Sequence, residues 1–182
     1  MPGDLTFRRA LPQDATALGA MHVRSWQESY RGLLPDAALA ALDPVERAER
    51  WRRNLEGGAE ALLALSGGEI LGFVGWGRAR DEALGGGGEI YGLYVLARAQ
   101  RRGVGSRLLT QGAAALAEGG FSGFSLWVFA GNARARQFYA AMGGRPGLRK
   151  TISRDGWSLE EIAYSWDGPP ARAGAAPRGT AA

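Results

Sequence analysis

The chain of 182 residues carries a formal net charge of +4, and 46% of its residues are hydrophobic. This length is typical of one domain with a sizeable core. With no cysteine and one histidine, the composition excludes disulfides, a thiolate nucleophile and metal sites built from cysteine or paired histidines, so we expect no metal. No apolar run approaches a membrane span and no signal-peptide pattern is present, which predicts a cytoplasmic protein without a membrane partner.

The positive net charge raises the question of nucleic-acid binding. The arginines are spread over several predicted helices and turns, and no stripe of them alternates with aromatic residues. We therefore expect solvated surface charge and no nucleic-acid partner.

The first half of the chain predicts helices and a hairpin. The helix at 12–30 carries His22, which we interpret as a partly exposed helix residue rather than a catalyst. Asp43 and Pro44 are typical of a helix start. The predicted elements are a strand at 5–9, helices at 12–30 and 44–56, strands at 60–65 and 69–77, and a flexible loop at 80–88 with four consecutive glycines.

The second half predicts alternating strands and helices. Residues 90–96 form a nearly continuous apolar run, which suits a central strand covered on both faces. The remaining elements are a helix from 104 to a Gly-Gly stop at 119–120, a strand at 126–129, a helix around 136–139, and strands at 145–153 and 157–166. Residues 1–166 are predicted to form a single domain, and the Pro, Ala and Gly composition of 167–182 predicts a disordered tail.

A basic turn with two glycines joins the central strand to the following helix. Its residues, from Gln100 to Gly105, would point backbone N–H groups at one spot near the positive end of a helix. Such a nest binds phosphate or pyrophosphate. A nucleoside-triphosphate P-loop is excluded, because Gly105 is followed by Ser106-Arg107 rather than by Lys-Ser or Lys-Thr. A dinucleotide-binding fingerprint is also excluded, because Leu108 stands where its third glycine is needed. A tight turn without a ligand remains the alternative.

The segment from Glu89 to Ser106 resembles the acetyl-CoA-binding segment of GCN5-related N-acetyltransferases. Their Gln/Arg-x-x-Gly-x-Gly/Ala signature is matched by Gln100, Gly103 and Gly105. A second family segment, a strand followed by Asn and a helix with Tyr, is matched by residues 126–139. Residues 26–35 resemble the first-helix-to-loop segment of small bacterial members. The resemblance extends over roughly residues 4–166.

The resemblance implies an α/β fold with a mixed, mostly antiparallel sheet of about seven strands, a central splay, and four to five flanking helices. It also implies acetyl-CoA as cosubstrate, with the pantetheine arm in the splay. Asn132 and Tyr139 are implied as cofactor contacts. The other implied cofactor-binding residues are Leu93, Tyr94, Val95, Gln100, Arg101, Arg102, Gly103, Val104, Gly105 and Ser106.

The implied reaction is direct attack of an amine on the thioester, without a covalent enzyme intermediate. Glu89 has the same spacing to the glycine turn as the catalytic glutamate of the histone acetyltransferase branch, which makes it the candidate base. Tyr139 is the candidate proton donor to the departing thiolate. The alternative is a non-catalytic acyl-CoA sensor or interaction module, but the presence of both Glu89 and Tyr139 favours an enzyme.

The acceptor, a small-molecule or peptide amine, is the least determined part of the prediction. Trp26 and Tyr30 are candidates for its pocket, with core packing as the alternative role. Further candidates are the aromatic residues Trp157 and Tyr164 and the acidic residues Glu28 and Glu160. The resemblance also implies a possible homodimer through the last strands.

Overall fold

One mixed sheet of seven strands organises the computed structural model, which describes residues 4–154 and 157–170. The strand order is β1-β2-β3-β4-β5-β7-β6, and all neighbours are antiparallel except β4 and β5. The strands are β1 (Thr6–Arg9), β2 (Glu60–Ser66), β3 (Glu69–Arg78), β4 (Gly88–Val95), β5 (Phe124–Phe129), β6 (Arg145–Arg154) and β7 (Trp157–Trp166). The helices are α1 (Ala15–Ser29), α2 (Asp36–Ala40), α3 (Pro44–Glu56), α4 (Val104–Glu118) and α5 (Ala133–Ala141). The predicted fold class is confirmed.

The parallel strands β4 and β5 diverge soon after they begin. Their pairing consists of Gly88 with Phe124 and Glu89 with Ser125. Beyond these pairs, β4 continues beside β3 and β5 continues beside β7. A wedge-shaped gap therefore opens in the middle of the sheet, as the family resemblance implies.

Apolar side chains cover both faces of the sheet. Leu108 and Leu109 of α4 are buried against β2 and β3 on one face. Leu18 of α1 is buried with Phe73 on the other face. Gly112 lets α4 approach the sheet closely, because a Cβ at this position would lie 3.2 Å from side-chain atoms of Ile90 and Val74. Helices therefore pack on both faces of the sheet beside the gap.

The helix boundaries differ in part from those predicted. Residues Pro12–Asp14 form a 3-10 turn, so α1 begins later than the predicted helix, and α2 was not predicted. Asp14 favours the separate turn because its carboxylate accepts a hydrogen bond from the Leu11 N–H and pairs with Arg8. The predicted cap of α3 is confirmed, since Asp43 accepts a hydrogen bond from the Val45 N–H at 2.8 Å.

The loop between β3 and β4 contains a 3-10 turn at Glu82–Leu84, which the sequence reading missed. Asp81 ties this loop to the sheet through an ion pair with Lys150 at 2.7 Å. Of the predicted tail, residues 171–182 lie outside the described residues, so the tail and the domain boundary stay predictions. No helix in the described ranges is both long and apolar enough to cross a bilayer.

Candidate active site

A cleft of about 1130 Å³ opens in the gap between β4 and β5. Predicted site residues that line it are Trp26, Tyr30, Glu89, Leu93, Tyr94, Val95, Gln100, Arg101, Gly103, Gly105, Ser106, Asn132 and Tyr139. Two predicted residues, Arg102 and Val104, are not part of its lining, and the Val104 side chain lies in the core. Their predicted contribution was a backbone amide, which does not require the side chain to face the cleft.

The turn before α4 presents a row of unpaired amides. Among the described residues, no backbone carbonyl or side chain accepts a hydrogen bond from the N–H groups of residues 101–106. Arg101 and Gly103 adopt positive φ values of 60° and 76°, which curl the chain at the mouth of the cleft. The amides of the first helical turn also carry the positive end of the helix dipole. This arrangement is a nest for an anion.

Gln100 fixes this turn to the end of β4. Its amide nitrogen donates a hydrogen bond to the Val95 carbonyl at 2.8 Å. Its Oε1 is buried and accepts no hydrogen bond from any described residue. The amide nitrogen of Gln100 therefore stabilises the turn, and its oxygen remains available to accept a hydrogen bond beside the nest.

The exposed edge of β4 supplies backbone groups along the cleft. Leu93, Tyr94 and Val95 pair with β3 on one side. On the side of β5, no described strand pairs with them, because the ladder there ends at Glu89 and Ser125. An extended ligand with amide groups would fit this edge as an added strand.

The helix α5 places two polar side chains beside the gap. Asn132 caps it, and its Oδ1 accepts a hydrogen bond from the Ala135 N–H at 3.1 Å. Tyr139 is 7% exposed and packs between the rings of Phe138 and Trp166. No described residue forms a hydrogen bond with its hydroxyl, and burial raises the pKa of this group well above its ordinary value. Tyr139 therefore keeps its proton.

Glu89 is a buried carboxylate at the point where the gap begins. It is 3% exposed and both of its oxygens are bound by Arg80. The Arg80 backbone N–H donates to Oε2 at 2.8 Å, and its Nη2 donates to Oε1 at 2.9 Å. The Arg80 guanidinium also lies 3.9 Å from the centre of the Tyr91 ring. The sequence reading missed Arg80, which lay in a loop predicted to be flexible.

Aromatic residues form the wall of the cleft below α1. The hydroxyls of Tyr30 and Tyr94 lie 3.0 Å apart, and the Tyr30 ring packs on Phe129. Burial raises the pKa of both tyrosines, so both hydroxyls stay protonated. Trp26 and Trp157 line the same wall. Tyr164 was expected there, but it is buried beside the Tyr139 ring on the other face.

His22 supports this wall from behind. Its Nδ1 accepts a hydrogen bond from Trp51 Nε1 at 3.0 Å, and its ring packs on Phe73 and Tyr94. Burial, reinforced by Arg47 and Arg50, lowers the pKa of His22 to about 3. The ring is therefore neutral, and it packs among aromatic side chains.

Of the two acidic residues singled out in the sequence, Glu28 lines the cleft and Glu160 does not. Glu28 is engaged by Arg24 and by the Ala97 N–H at 2.7 Å. Glu160 pairs with Arg149 at the surface. Its neighbour Glu161 lines the cleft instead. Alternation along a strand sends adjacent side chains to opposite faces, and the sequence alone did not fix which of the two faces the gap.

A model of the acetyltransferase (GNAT) family matches residues 22–143 of the chain. The chain belongs to this family. The match extends from α1 to the end of α5, so it includes the splayed strands, the amide nest and the tyrosine helix.

Individual relatives agree with this assignment. The chain is 32% identical over 163 residues to the uncharacterized N-acetyltransferase YuaI of Bacillus subtilis, covering 89% of this chain and 92% of the relative. The PaiA N-acetyltransferase of Thermoplasma acidophilum, solved in complex with coenzyme A, shares the fold with a TM-score of 0.69 at 17% identity, covering 87% of this chain and 98% of its own. The putative acetyltransferase yncA of Salmonella typhimurium, solved with acetyl-CoA, shares the fold with a TM-score of 0.68 at 17% identity. The alignment covers 90% of this chain and 93% of that chain.

Proposed function

We propose that this protein transfers an acetyl group from acetyl-CoA to a primary amine by direct attack within a ternary complex. The observation that carries the proposal is the convergence, in one cleft, of the amide row at 101–106 with Glu89 and Tyr139. Family membership supports the acyl transfer, and the two solved relatives that hold coenzyme A or acetyl-CoA support the donor.

The residues present suit such a donor. The unpaired amides of residues 101–106 match the acceptor oxygens of a pyrophosphate. At Gly103 and Gly105 no side chain stands between these amides and the cleft, and a Cβ at Gly103 would meet no atom within 4 Å. The free edge of β4 offers alternating donors and acceptors to the amide groups of a pantetheine arm.

Two side chains are suited to move the protons of the reaction. The amine must lose a proton before it attacks, and the Glu89 carboxylate accepts this proton directly or through a water molecule. Arg80 fixes the orientation of that carboxylate. Attack forms the N–C bond and leaves one surplus proton on the nitrogen. As the C–S bond breaks, the neutral Tyr139 hydroxyl donates a proton to the departing thiolate and regains one from that nitrogen, so the products are the amide and the free thiol. A free N–H on the β4 edge would stabilise the negative charge that develops on the carbonyl oxygen.

The experiment that tests this function is thiol release from acetyl-CoA. We would screen the purified protein against polyamines, aminoglycosides, amino acids, arylalkylamines and short peptides, and measure the melting temperature with acetyl-CoA in parallel. Release that depends on one amine class supports the enzyme. A melting shift without release with any acceptor favours the non-catalytic sensor, and neither release nor shift rejects the donor itself.

A further inference from the structure

The carboxylate of Glu161 is partly buried in the cleft without a good partner. Its side chain is 15% exposed, and its contact with Lys150 is longer than a hydrogen bond of ordinary geometry. The nearest cation, Lys150 Nζ, lies 3.6 Å away. That ammonium group is committed more closely to Asp81 at 2.7 Å and lies 4.0 Å from the centre of the Trp127 ring. Glu161 therefore faces the cleft with unused acceptor capacity.

The position of Glu161 suits contact with an acceptor. It stands on β7 opposite Phe129 of β5, so it lies on the far side of the gap from Glu89. The Tyr30 and Trp157 side chains line the same part of the cleft. An amine with an apolar body would thus meet aromatic rings on its sides and a carboxylate on each side of the gap.

Holding this partly buried carboxylate beside a single distant cation costs free energy. A buried charge is normally paired and hydrogen-bonded, and an unsatisfied one is disfavoured. Burial raises the pKa of Glu161, Lys150 opposes this rise by its charge and by hydrogen bonding, and the Asp81 and Glu89 carboxylates add smaller increases. A ligand with a positive charge and N–H donors would form the hydrogen bonds that this carboxylate can still accept.

We propose that Glu161 binds the ammonium group of the acceptor and selects protonated primary amines over neutral analogues. This inference rests on the proposed function. At neutral pH an alkylamine is mostly protonated, so it would enter as a cation, be held by Glu161, and lose its proton toward Glu89 before attack. Glu161 is thus a binding residue, whereas Glu89 carries the proton transfer.

The test compares Glu161→Gln with wild type by binding, which needs no turnover. With coenzyme A saturating, the amines of the panel are titrated by calorimetry and by melting temperature, each beside its neutral alcohol analogue. We expect wild type to prefer the amine and Glu161→Gln to bind it about tenfold to a hundredfold more weakly. The affinity for coenzyme A should be unchanged. Where turnover is present, KM for the amine should rise and kcat should stay within about threefold.

Glu160→Gln is the matched control, because it removes the neighbouring carboxylate whose partner is Arg149 at the surface. It should bind amines as wild type does. Glu161→Asp, which keeps the charge one methylene shorter, should fall between wild type and Glu161→Gln. Equal amine affinity in Glu161→Gln and wild type, or no preference for amine over alcohol in wild type, would overturn the inference. A loss of kcat with unchanged KM would also overturn it, by assigning Glu161 to proton transfer. Failure of the proposed function is a separate result, namely no thiol release although amine and coenzyme A bind.

Discussion

The two walls of the cleft are built in different ways. On the β4 side, the groups that face the gap are largely backbone amides and strand edges, supplied by one continuous stretch from β4 to the start of α4. On the β5 side, the facing groups are side chains from separate segments, including Tyr30 at the end of α1, Lys150 of β6 and Glu161 of β7.

This difference separates the tasks of the two walls. A backbone nest depends on chain conformation and tolerates many side chains, so it suits a donor whose pyrophosphate is always the same. A wall of side chains changes its chemistry with each substitution, so it suits a variable acceptor. We therefore expect changes on the β4 wall to act through the donor and changes on the β5 wall to act through the amine. The predictions below test that division.

The largest effect is expected at Glu89, where the two walls meet. Glu89→Gln keeps the shape of the side chain and its hydrogen bond from the Arg80 N–H, but removes the proton acceptor. We expect kcat to fall about a thousandfold at neutral pH, within the range for a general base. The affinity for coenzyme A, measured by calorimetry, should be unchanged.

Glu69→Gln is the control for the Glu89 substitution, because Glu69 pairs with Arg98 at the surface. It should keep the wild-type rate. If Glu89→Gln retained both the rate and the pH–rate profile of wild type, Glu89 would not be the base.

A smaller effect is expected at Tyr139. Tyr139→Phe removes the hydroxyl and keeps the ring that packs on Phe138 and Trp166. We expect kcat to fall about a hundredfold, because the departing thiolate loses its proton donor. Tyr164→Phe, whose ring lies 5.9 Å from that of Tyr139, is the control and should leave kcat unchanged.

The raised pKa of Tyr139 gives a second test by pH. A proton donor works only while protonated, and the raised pKa keeps Tyr139 protonated beyond the usual titration range of tyrosine. Wild type should therefore show no loss of kcat that follows the ordinary tyrosine pKa near 10. An alkaline loss of kcat near pH 10 that Tyr139→Phe abolishes would contradict the raised pKa of Tyr139 while leaving its role as proton donor in place.

His22 should make the aromatic wall sensitive to acid. Its folded-state pKa of about 3 lies below the unfolded value near 6.5, so the unfolded chain binds more protons as the pH falls. From this residue alone, the free energy of unfolding should drop by about 1.4 kcal/mol per pH unit between pH 6 and 4. Urea unfolding of His22→Gln should show a shallower decline than wild type. Parallel pH dependences would refute the buried, neutral assignment.

The sequence predicted the β4 wall well because its signals are local. Gln100, Gly103 and Gly105 lie within six residues, and their spacing alone predicts the turn that the structure confirms. The central strand was likewise indicated by an apolar run, and the end of α4 by the Gly-Gly stop at 119–120.

The β5 wall was predicted only in part because it depends on tertiary placement. Trp26 and Tyr30 were expected to line the cleft and do so, but Glu160 was chosen where Glu161 faces the gap. The Lys150 contact to Asp81 joins residues 69 positions apart. The Arg80 contact to Glu89 depends on how the loop between β3 and β4 folds back, so no spacing rule reveals either contact. The helix α2 was missed because five residues are too few to show a period.

The smallest effect is expected from replacing a glycine with positive φ by alanine, inside the amide nest and outside it. Gly103 and Gly120 both have positive φ, 76° and 87°, and an added Cβ would meet no atom within 4 Å at either position. Alanine should therefore cost a similar 1 to 2 kcal/mol, as a rough figure, of left-handed strain at both sites. Gly103 lies within the amide nest, whereas Gly120 follows the other end of α4. If the nest holds the donor, Gly103→Ala should raise KM for acetyl-CoA about fivefold and Gly120→Ala should leave it unchanged. The melting temperature should fall in both variants. An equal change of KM in the two variants would mean that the loss reflects general stability, and the division between the walls would fail on the β4 side.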